Sequence, residues 1–257
     1  MAIKMIVTDL DGTLLKTDKT VSEHTKSILR RCKESGIKMV YATGRGGSAE
    51  RVVPQGLFDG KITYNGAIAK VGEDIVYNRL MQNQDIRPIL EACDKHGIRA
   101  ASEINGKRYA NFPISDFWPY VTDFAIVDFS QHELDSEKIY IPAPTPEQKE
   151  ILENLLPDSI YSVMTHDITG DLLNIMHKEA TKSKAVSELA QLWGILPEEI
   201  VAFGDELNDL DMLLYAGMGV AMGNALDEVK DVADFICDIN DNDGVARWIE
   251  GRIFDNC

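Results

Sequence analysis

Ile3-Lys4-Met5-Ile6-Val7-Thr8-Asp9-Leu10-Asp11-Gly12-Thr13 is the stretch on which the fold turns. Its apolar run from Ile3 to Thr8 stops abruptly in acid and glycine, as a buried strand of a parallel sheet does. Downstream, Ser22 can cap a helix whose apolar positions include Ile28, Leu29 and Cys32, and Gly36 ends it. Ile37 to Ala42 reads as the next strand, followed by Thr43-Gly44-Arg45. Strand, helix and strand in that order imply a right-handed crossover and a parallel sheet.

The pattern changes after Tyr64. Asn65-Gly66 and Gly72-Glu73 read as turns around short strands at Ala67 to Val71 and Ile75 to Asn78. A helix is expected from near Asp85 to Gly97, a hairpin turn at Asn105-Gly106, and strands at Phe124 to Phe129 and Lys138 to Ile141. Thr145 caps a second helix running to about Leu155, and strands at Ile160 to Met164 and Leu172 to Met176 complete an α+β insert. Alternation then resumes, with helices at Lys182 to Leu192 and Leu210 to Ala216 and strands at Ile200 to Phe203, Gly219 to Met222 and Phe235 to Cys237. The expected architecture is an α/β core in two pieces, residues 1–81 and 179–257, around an α+β cap at 82–178.

The 257 residues suffice for one large domain or two modest ones, and 44% hydrophobic residues suffice for a core. No stretch approaches the roughly 18 apolar residues of a bilayer span. The amino terminus meets acid by Asp9, too early for a secretory signal, so a cytoplasmic protein is expected. A net charge of −16 argues against nucleic-acid or anionic-membrane partners, both of which are polyanions. Cys32, Cys93, Cys237 and Cys257 form no CxxC pair; reduced thiols are expected, with the first three in the core.

The ends of parallel strands are where such sheets place their sites. Asp9 and Asp11, two residues apart at one of these ends, can divide the labour of attack and proton transfer. Gly12 permits a sharp turn and Thr13 can hydrogen-bond it; as a pentapeptide alone, an ordinary β-turn stays open. Gly204-Asp205-Glu206-Leu207-Asn208-Asp209 again follows an apolar strand, and acids so crowded repel one another without a cation. Oxygen-only ligands suit Mg²⁺, although a helix N-cap at Asn208 or Asp209 uses the same residues. Thr43 and Gly44 offer a hydroxyl and backbone amides for a phosphate, and Lys182 opens an amphipathic helix; each alone is weak. Asp241-Asn242-Asp243-Gly244 with Glu250 mimics part of an EF-hand loop, but Ile239 holds the first ligand position, so an N-cap for the last helix is expected. Phe112, Phe117 and Trp118 read as core of the insert or as a substrate wall.

Together these motifs form a recognisable series. Asp-Leu-Asp-Gly-Thr at 9–13, Ala-Thr-Gly-Arg at 42–45, the lysine at 182 and Gly-Asp-x-x-Asn-Asp at 204–209, in that order, resemble the haloacid dehalogenase (HAD) superfamily. Tyr64-Asn65-Gly66-Ala67, Val220-Ala221-Met222-Gly223-Asn224-Ala225 and Asn242-Asp243-Gly244-Val245 resemble further signatures of its Cof-type IIB subfamily. The likeness covers the whole core, whereas the insert matches in size and position. One departure is Ser183, where such proteins often carry glycine after the lysine.

The resemblance implies a Rossmann-like core with a C2B-type cap and a Mg²⁺-dependent phosphatase acting on small phosphomonoesters, such as sugar phosphates or phosphorylated cofactors. By position, Asp9 is the implied nucleophile, forming an aspartyl-phosphate and ligating Mg²⁺. Asp11 is the implied acid and then base, with its carbonyl on the metal. Leu10, Thr43, Gly44, Lys182 and Asn208 are implied around the phosphoryl group, and Asp205 and Asp209 at the metal. Asn65 and Asn224 are implied neighbours. Cap closure about the two crossings would exclude water. The partner implied is a small phosphorylated metabolite, met by a monomer or weak homo-oligomer. A phosphotransferase or phosphomutase of the phosphomannomutase type uses the same residues and is the alternative. A non-catalytic phosphate sensor is a further rival, disfavoured because every catalytic position is filled.

Overall fold

The computed structural model describes residues 2–119, 121–131, 133–167 and 170–255; Cys257 lies outside them. Its contacts divide the chain into two compact units, Met1–Asn78 with Thr181–Cys257, and Arg79–Ala180.

The first unit begins with β1 (Met5–Thr8), α1 (Glu23–Glu34), β2 (Lys38–Ala42), β3 (Gly60–Thr63), β4 (Ile68–Val71) and β5 (Asp74–Asn78). In the second unit follow α2 (Asn83–Lys95), β6 (Ala101–Ile104), β7 (Lys107–Ala110), β8 (Ala125–Ile126), β9 (Lys138–Pro142), α3 (Pro146–Glu153), β10 (Ile160–Asp167) and β11 (Gly170–His177). The chain returns to the first unit with α4 (Lys182–Trp193), β12 (Ile200–Gly204), α5 (Leu210–Tyr215), β13 (Met218–Ala221), α6 (Asp227–Val232), β14 (Phe235–Ile236) and α7 (Gly244–Ile249).

Among the described residues, the first unit carries an eight-stranded sheet in the order β14-β13-β12-β1-β2-β3-β4-β5. It is parallel from β14 to β3, and β4 and β5 run antiparallel at the edge. All four residues of β1 are buried, which is why that strand reads as an unbroken apolar run. α1 starts where Ser22 accepts the Thr25 amide at 3.0 Å and turns Ile28, Leu29 and Cys32 into the core.

The second unit has a six-stranded sheet, β10-β11-β9-β6-β7-β8, antiparallel except between β7 and β8. Ile139, Ile141, Leu173 and Ile175 pack under Ile86, Ile89, Leu90 and Cys93 of α2 and Leu152 of α3. Because side chains alternate along a strand, Tyr140 faces the other way. There it joins Phe112, Trp118 and Leu172 in a second small cluster, with Phe117 against its margin. The aromatic residues 112, 117 and 118 are therefore packing residues of this sheet. Asn105 and Gly106 both have positive φ, as a two-residue hairpin between Ile104 and Lys107 requires.

Several expectations need correction. The segment Phe124 to Phe129 is a strand only at Ala125–Ile126. Asp128 accepts the Ser130 amide at 2.9 Å and Asp94 accepts the Phe129 amide at 2.7 Å, so the chain turns inward there. The turn expected at Asn65-Gly66 is present, as a 3₁₀ turn over Tyr64-Asn65-Gly66 between β3 and β4 with positive φ at all three residues. The carboxylate of Asp243 does not cap α7; it accepts from the Thr25 hydroxyl at 3.2 Å and faces the Lys16 ammonium at 3.4 Å. Cys32 and Cys93 are buried, but Cys237 is half-buried against the core margin. No helix among the described residues is long and apolar enough to cross a membrane.

Candidate active site

Thr8 pairs with Phe203 of β12 and with Tyr41 of β2, so three strands end at nearly one level. The loops at Asp9, Thr43 and Asp205 therefore leave the sheet side by side. The Asp9 amide donates to the Phe203 carbonyl at 3.0 Å, extending the β1–β12 ladder to the first acidic residue.

Lys182 is brought to this edge as the first residue of α4, whose N-cap Thr181 accepts the Lys184 amide. Gly66 fixes where α4 starts: with φ +101° it lies against the backbone of Thr181, where a β-carbon would collide with the carbonyl. The Lys182 ammonium, with its side chain fully buried, donates to Asp9 Oδ1 and Asp209 Oδ1, each at 2.6 Å. Asp209 Oδ2 accepts the amides of Asp205 and Glu206 at 3.0 and 3.1 Å. Both oxygens of Asp209 are thus committed to shaping the loop and seating the lysine. Asp205 Oδ1 accepts the Thr13 hydroxyl at 2.5 Å, so Thr13 ties the first acidic loop to the second, while its amide closes its own turn on the Leu10 carbonyl at 3.4 Å. A β-carbon on Gly12 would run into the Asp205 carboxylate.

Burial drives the electrostatics. Asp9 is held above the usual carboxylate range by burial, against the pull of Lys182 and with help from the charges of Asp209 and Asp205. Asp205 is pushed up to about 7 by burial, against the Thr13 hydrogen bond and with help from Asp209 and Glu206. Burial would lower Lys182, but the charges of Asp209 and Asp9 outweigh it and hold the ammonium charged. Asp9, Asp205 and Asp209 present carboxylate oxygens within 4.8 Å of one another. Among the described residues, Asp9 Oδ2 and Asp205 Oδ2 have no hydrogen-bond donor. Three buried carboxylates with one lysine on two of them, and an uncommitted oxygen on Asp9 and on Asp205, fit a small hard divalent cation.

Asp11 lies outside this network. Its carboxylate is forked by Arg45, Nε to Oδ2 at 2.5 Å and Nη2 to Oδ1 at 2.6 Å, and Lys19 Nζ donates to Oδ1 at 2.8 Å. Burial would raise Asp11, yet the hydrogen bonds and charges of Arg45 and Lys19 carry it below its ordinary value. Thr43 is buried; its hydroxyl accepts the Arg45 amide at 3.1 Å and keeps its own proton for another acceptor. Gly44 lies beside Asn65, whose side-chain oxygen accepts from Asn208 Nδ2 at 2.9 Å. The Leu10 side chain is core, leaving its backbone at the site. Asn224 Nδ2 donates to the Gly12 carbonyl at 2.8 Å. Ser183, the departure after the lysine, donates its amide and hydroxyl to Asp211 Oδ2 at 3.1 and 2.5 Å, tying α4 to α5. Arg45 and Lys19 escaped the sequence reading. Arg45 could have been found beside the phosphate-seat residues, whereas Lys19 carries no local signal.

Residues 6–249 match the haloacid dehalogenase-like hydrolase family from end to end. The chain belongs to that family. This HAD-like hydrolase is 30% identical over 251 residues to the 5-amino-6-(5-phospho-D-ribitylamino)uracil phosphatase YcsE of Bacillus subtilis, covering 96% of this chain and 94% of the relative. YitU of the same organism, also a 5-amino-6-(5-phospho-D-ribitylamino)uracil phosphatase, is 29% identical over 261 residues, 96% of each chain. Among solved structures, BT1666 from Bacteroides thetaiotaomicron, a HAD-superfamily phosphatase, superposes with TM-score 0.84 at 28% identity, covering 97% and 95%. The HAD subclass IIB sugar phosphatase BT4131 superposes with TM-score 0.79 at 26% identity, covering 96% and 98%. This HAD-like hydrolase is accordingly a phosphatase of the Cof type, with the α/β class and parallel-sheet core of its superfamily.

Proposed function

We propose that the chain hydrolyses small phosphomonoesters through an aspartyl-phosphate on Asp9, with Mg²⁺ bound. The observation that carries this reading is the Asp9 carboxylate itself, one oxygen fixed by the buried Lys182 and the other without a donor among the described residues. A carboxylate so held presents one aligned oxygen to phosphorus while the lysine offsets the repulsion between anions. Asp9, Asp205 and the Asp11 carbonyl would hold Mg²⁺, with Asp209 acting through the loop, and the bound ion would add charge neutralisation at the phosphoryl group.

In the first step the Asp9–phosphorus bond forms and the ester P–O bond breaks, and Asp11 gives its proton to the leaving oxygen. In the second, water attacks phosphorus and loses a proton to Asp11, the Asp9–phosphorus bond breaks, and inorganic phosphate departs. In its contact with Arg45 and Lys19 Asp11 is an anion, the form that accepts the water's proton; donation to a leaving group requires that Arg45 release Oδ2, which then carries the proton while Lys19 keeps hold of Oδ1. The Thr43 hydroxyl, the Leu10 and Gly44 backbone and Asn208 seat the phosphoryl oxygens.

The substrates of these relatives favour a phosphate carried on the sugar or polyol chain of a small cytoplasmic metabolite. The test is phosphate release from a panel including 5-amino-6-(5-phospho-D-ribitylamino)uracil, hexose phosphates and 4-nitrophenyl phosphate, with and without Mg²⁺. Asp9→Asn is expected to lower turnover by about a thousandfold or more. Unchanged turnover in that variant overturns the nucleophile, and label passing to a second sugar instead of free phosphate makes the chain a phosphotransferase.

A further inference from the structure

The loop between β14 and α7 has no part in the chemistry above, yet it grips the turn that follows Asp11. Asn240 is buried and donates Nδ2 to the Leu15 carbonyl at 2.9 Å. Its amide donates to Asn224 Oδ1 at 3.0 Å, and Asn224 holds the Gly12 carbonyl from its other end. Asp241 accepts the Thr17 amide at Oδ1, 2.8 Å, and the Thr17 hydroxyl at Oδ2, 2.7 Å. The Asp241 carbonyl accepts Lys16 Nζ at 2.9 Å. Gly12, Leu15, Lys16 and Thr17 are therefore all fastened to residues more than two hundred positions later.

The turn transmits this hold. The Lys19 amide donates to the Lys16 carbonyl at 2.8 Å and the Lys16 amide to the Thr20 carbonyl at 3.0 Å, so Lys16 and Thr17 dictate where Lys19 lies. Lys19 has φ +65°, a left-handed conformation that a non-glycine residue keeps only when its surroundings impose it. From there its ammonium reaches Asp11. The carboxylate is thus held from one side by Arg45, at the end of β2, and from the other by a turn whose place is set by residues 240 and 241.

We infer that Asn240 and Asp241 are positioning residues for Asp11, acting through Thr17 and Lys19 and touching none of the reacting groups. This rests on the reading of Asp11 as the acid and base of a phosphatase. A loop that merely stabilised the fold would slow all substrates alike. A loop that positions the acid slows those substrates whose leaving oxygen needs a proton.

The experiment compares kcat/KM for an alkyl phosphate, such as glycerol phosphate or a hexose 6-phosphate, with that for 4-nitrophenyl phosphate, whose leaving group departs without protonation. Both are measured with saturating Mg²⁺ on wild type, Asp11→Asn, Asp241→Ala and Thr17→Val. Asp11→Asn is expected to lose about a hundredfold or more on the alkyl ester, with a much smaller loss on the aryl ester. Asp241→Ala is expected to lose about tenfold on the alkyl ester and less than about twofold on the aryl ester, and Thr17→Val to follow with a smaller split. Equal losses on both esters in Asp241→Ala and Thr17→Val, with the Asp11→Asn split intact, overturn the positioning role alone. A missing split in Asp11→Asn overturns the acid role and this inference with it. Should Asp241→Ala fail to fold, Thr17→Val, which removes one surface hydroxyl, decides the question.

Discussion

Lys182 balances two carboxylates with no water between them, so the strongest prediction at the residue scale concerns its charge. Lys182→Met leaves Asp9 and Asp209 buried without their cation, and stability in urea unfolding is expected to fall by about 3–5 kcal/mol. Turnover should collapse with it, even where Mg²⁺ restores part of the stability. Asp209→Ala strands the amides of Asp205 and Glu206 as well as the lysine, and is expected to cost at least about 1–3 kcal/mol by the same measurement. The residues at these positions were legible in the sequence because Asp9 ends an apolar strand, Asp209 lies in the acidic loop that follows another, and the lysine opens a patterned helix. The hold of Arg45 and Lys19 on Asp11 was not legible, since it depends on a turn with a left-handed lysine that no spacing announces. The partner of the Thr13 hydroxyl was hidden for a related reason: Asp205 is close only because β1 and β12 are neighbours.

At the scale of the element, the start of α4 decides whether Lys182 reaches the site. Gly66→Ala places a β-carbon against the Thr181 carbonyl in a backbone conformation that disfavours alanine. The expected result is a lower melting temperature together with a kcat loss, because helix and lysine shift as one. Circular dichroism melting and steady-state kinetics on the same preparation check it. Strand–helix alternation made most elements readable, including the Ser22 and Thr145 caps that the structure shows with bound amides. β3 went unread because Gly60-Lys61-Ile62-Thr63 contains no apolar run, although two of its residues are buried. α6 went unread because Val229 is its one buried position, leaving no period to detect. The last acidic run suggested a helix cap and proved to be an anchor for residues 16–25, a contact that only the tertiary fold creates.

For the whole molecule, the buried acids couple stability to pH and to metal. A carboxyl whose folded pKa is raised holds its proton more tightly in the folded state, so its contribution to stability shrinks as pH rises from the unfolded value toward the folded one. For Asp205 that window runs from 3.8 to about 7, and Asp9 acts in the same direction. Asp11, depressed by Arg45 and Lys19, works oppositely, its contribution lost as pH falls through its folded pKa. Metal-free protein is therefore expected to lose melting temperature between about pH 5 and pH 8 through Asp205 and Asp9. Mg²⁺ should raise the melting temperature more at the alkaline end, where both carboxylates are free to bind it. Asp205→Asn should flatten both effects in the same scanning experiment. At this scale the α/β class was readable from strand–helix alternation, and the site from the order of its motifs along the chain.

The place of β1 in the sheet also sets an order of events in time. Its right-hand partner, β2, is made at once, but its left-hand partner, β12, begins at Ile200. Between them the ribosome must deliver residues 79–180, which carry a sheet and an apolar core of their own. The insert can thus mature while Asp9 still waits at an open strand edge, and the reactive centre closes only when nearly four-fifths of the chain exists. Nascent chains arrested before Ile200 should protect the amides of residues 79–180 from exchange while those of β1 still exchange freely.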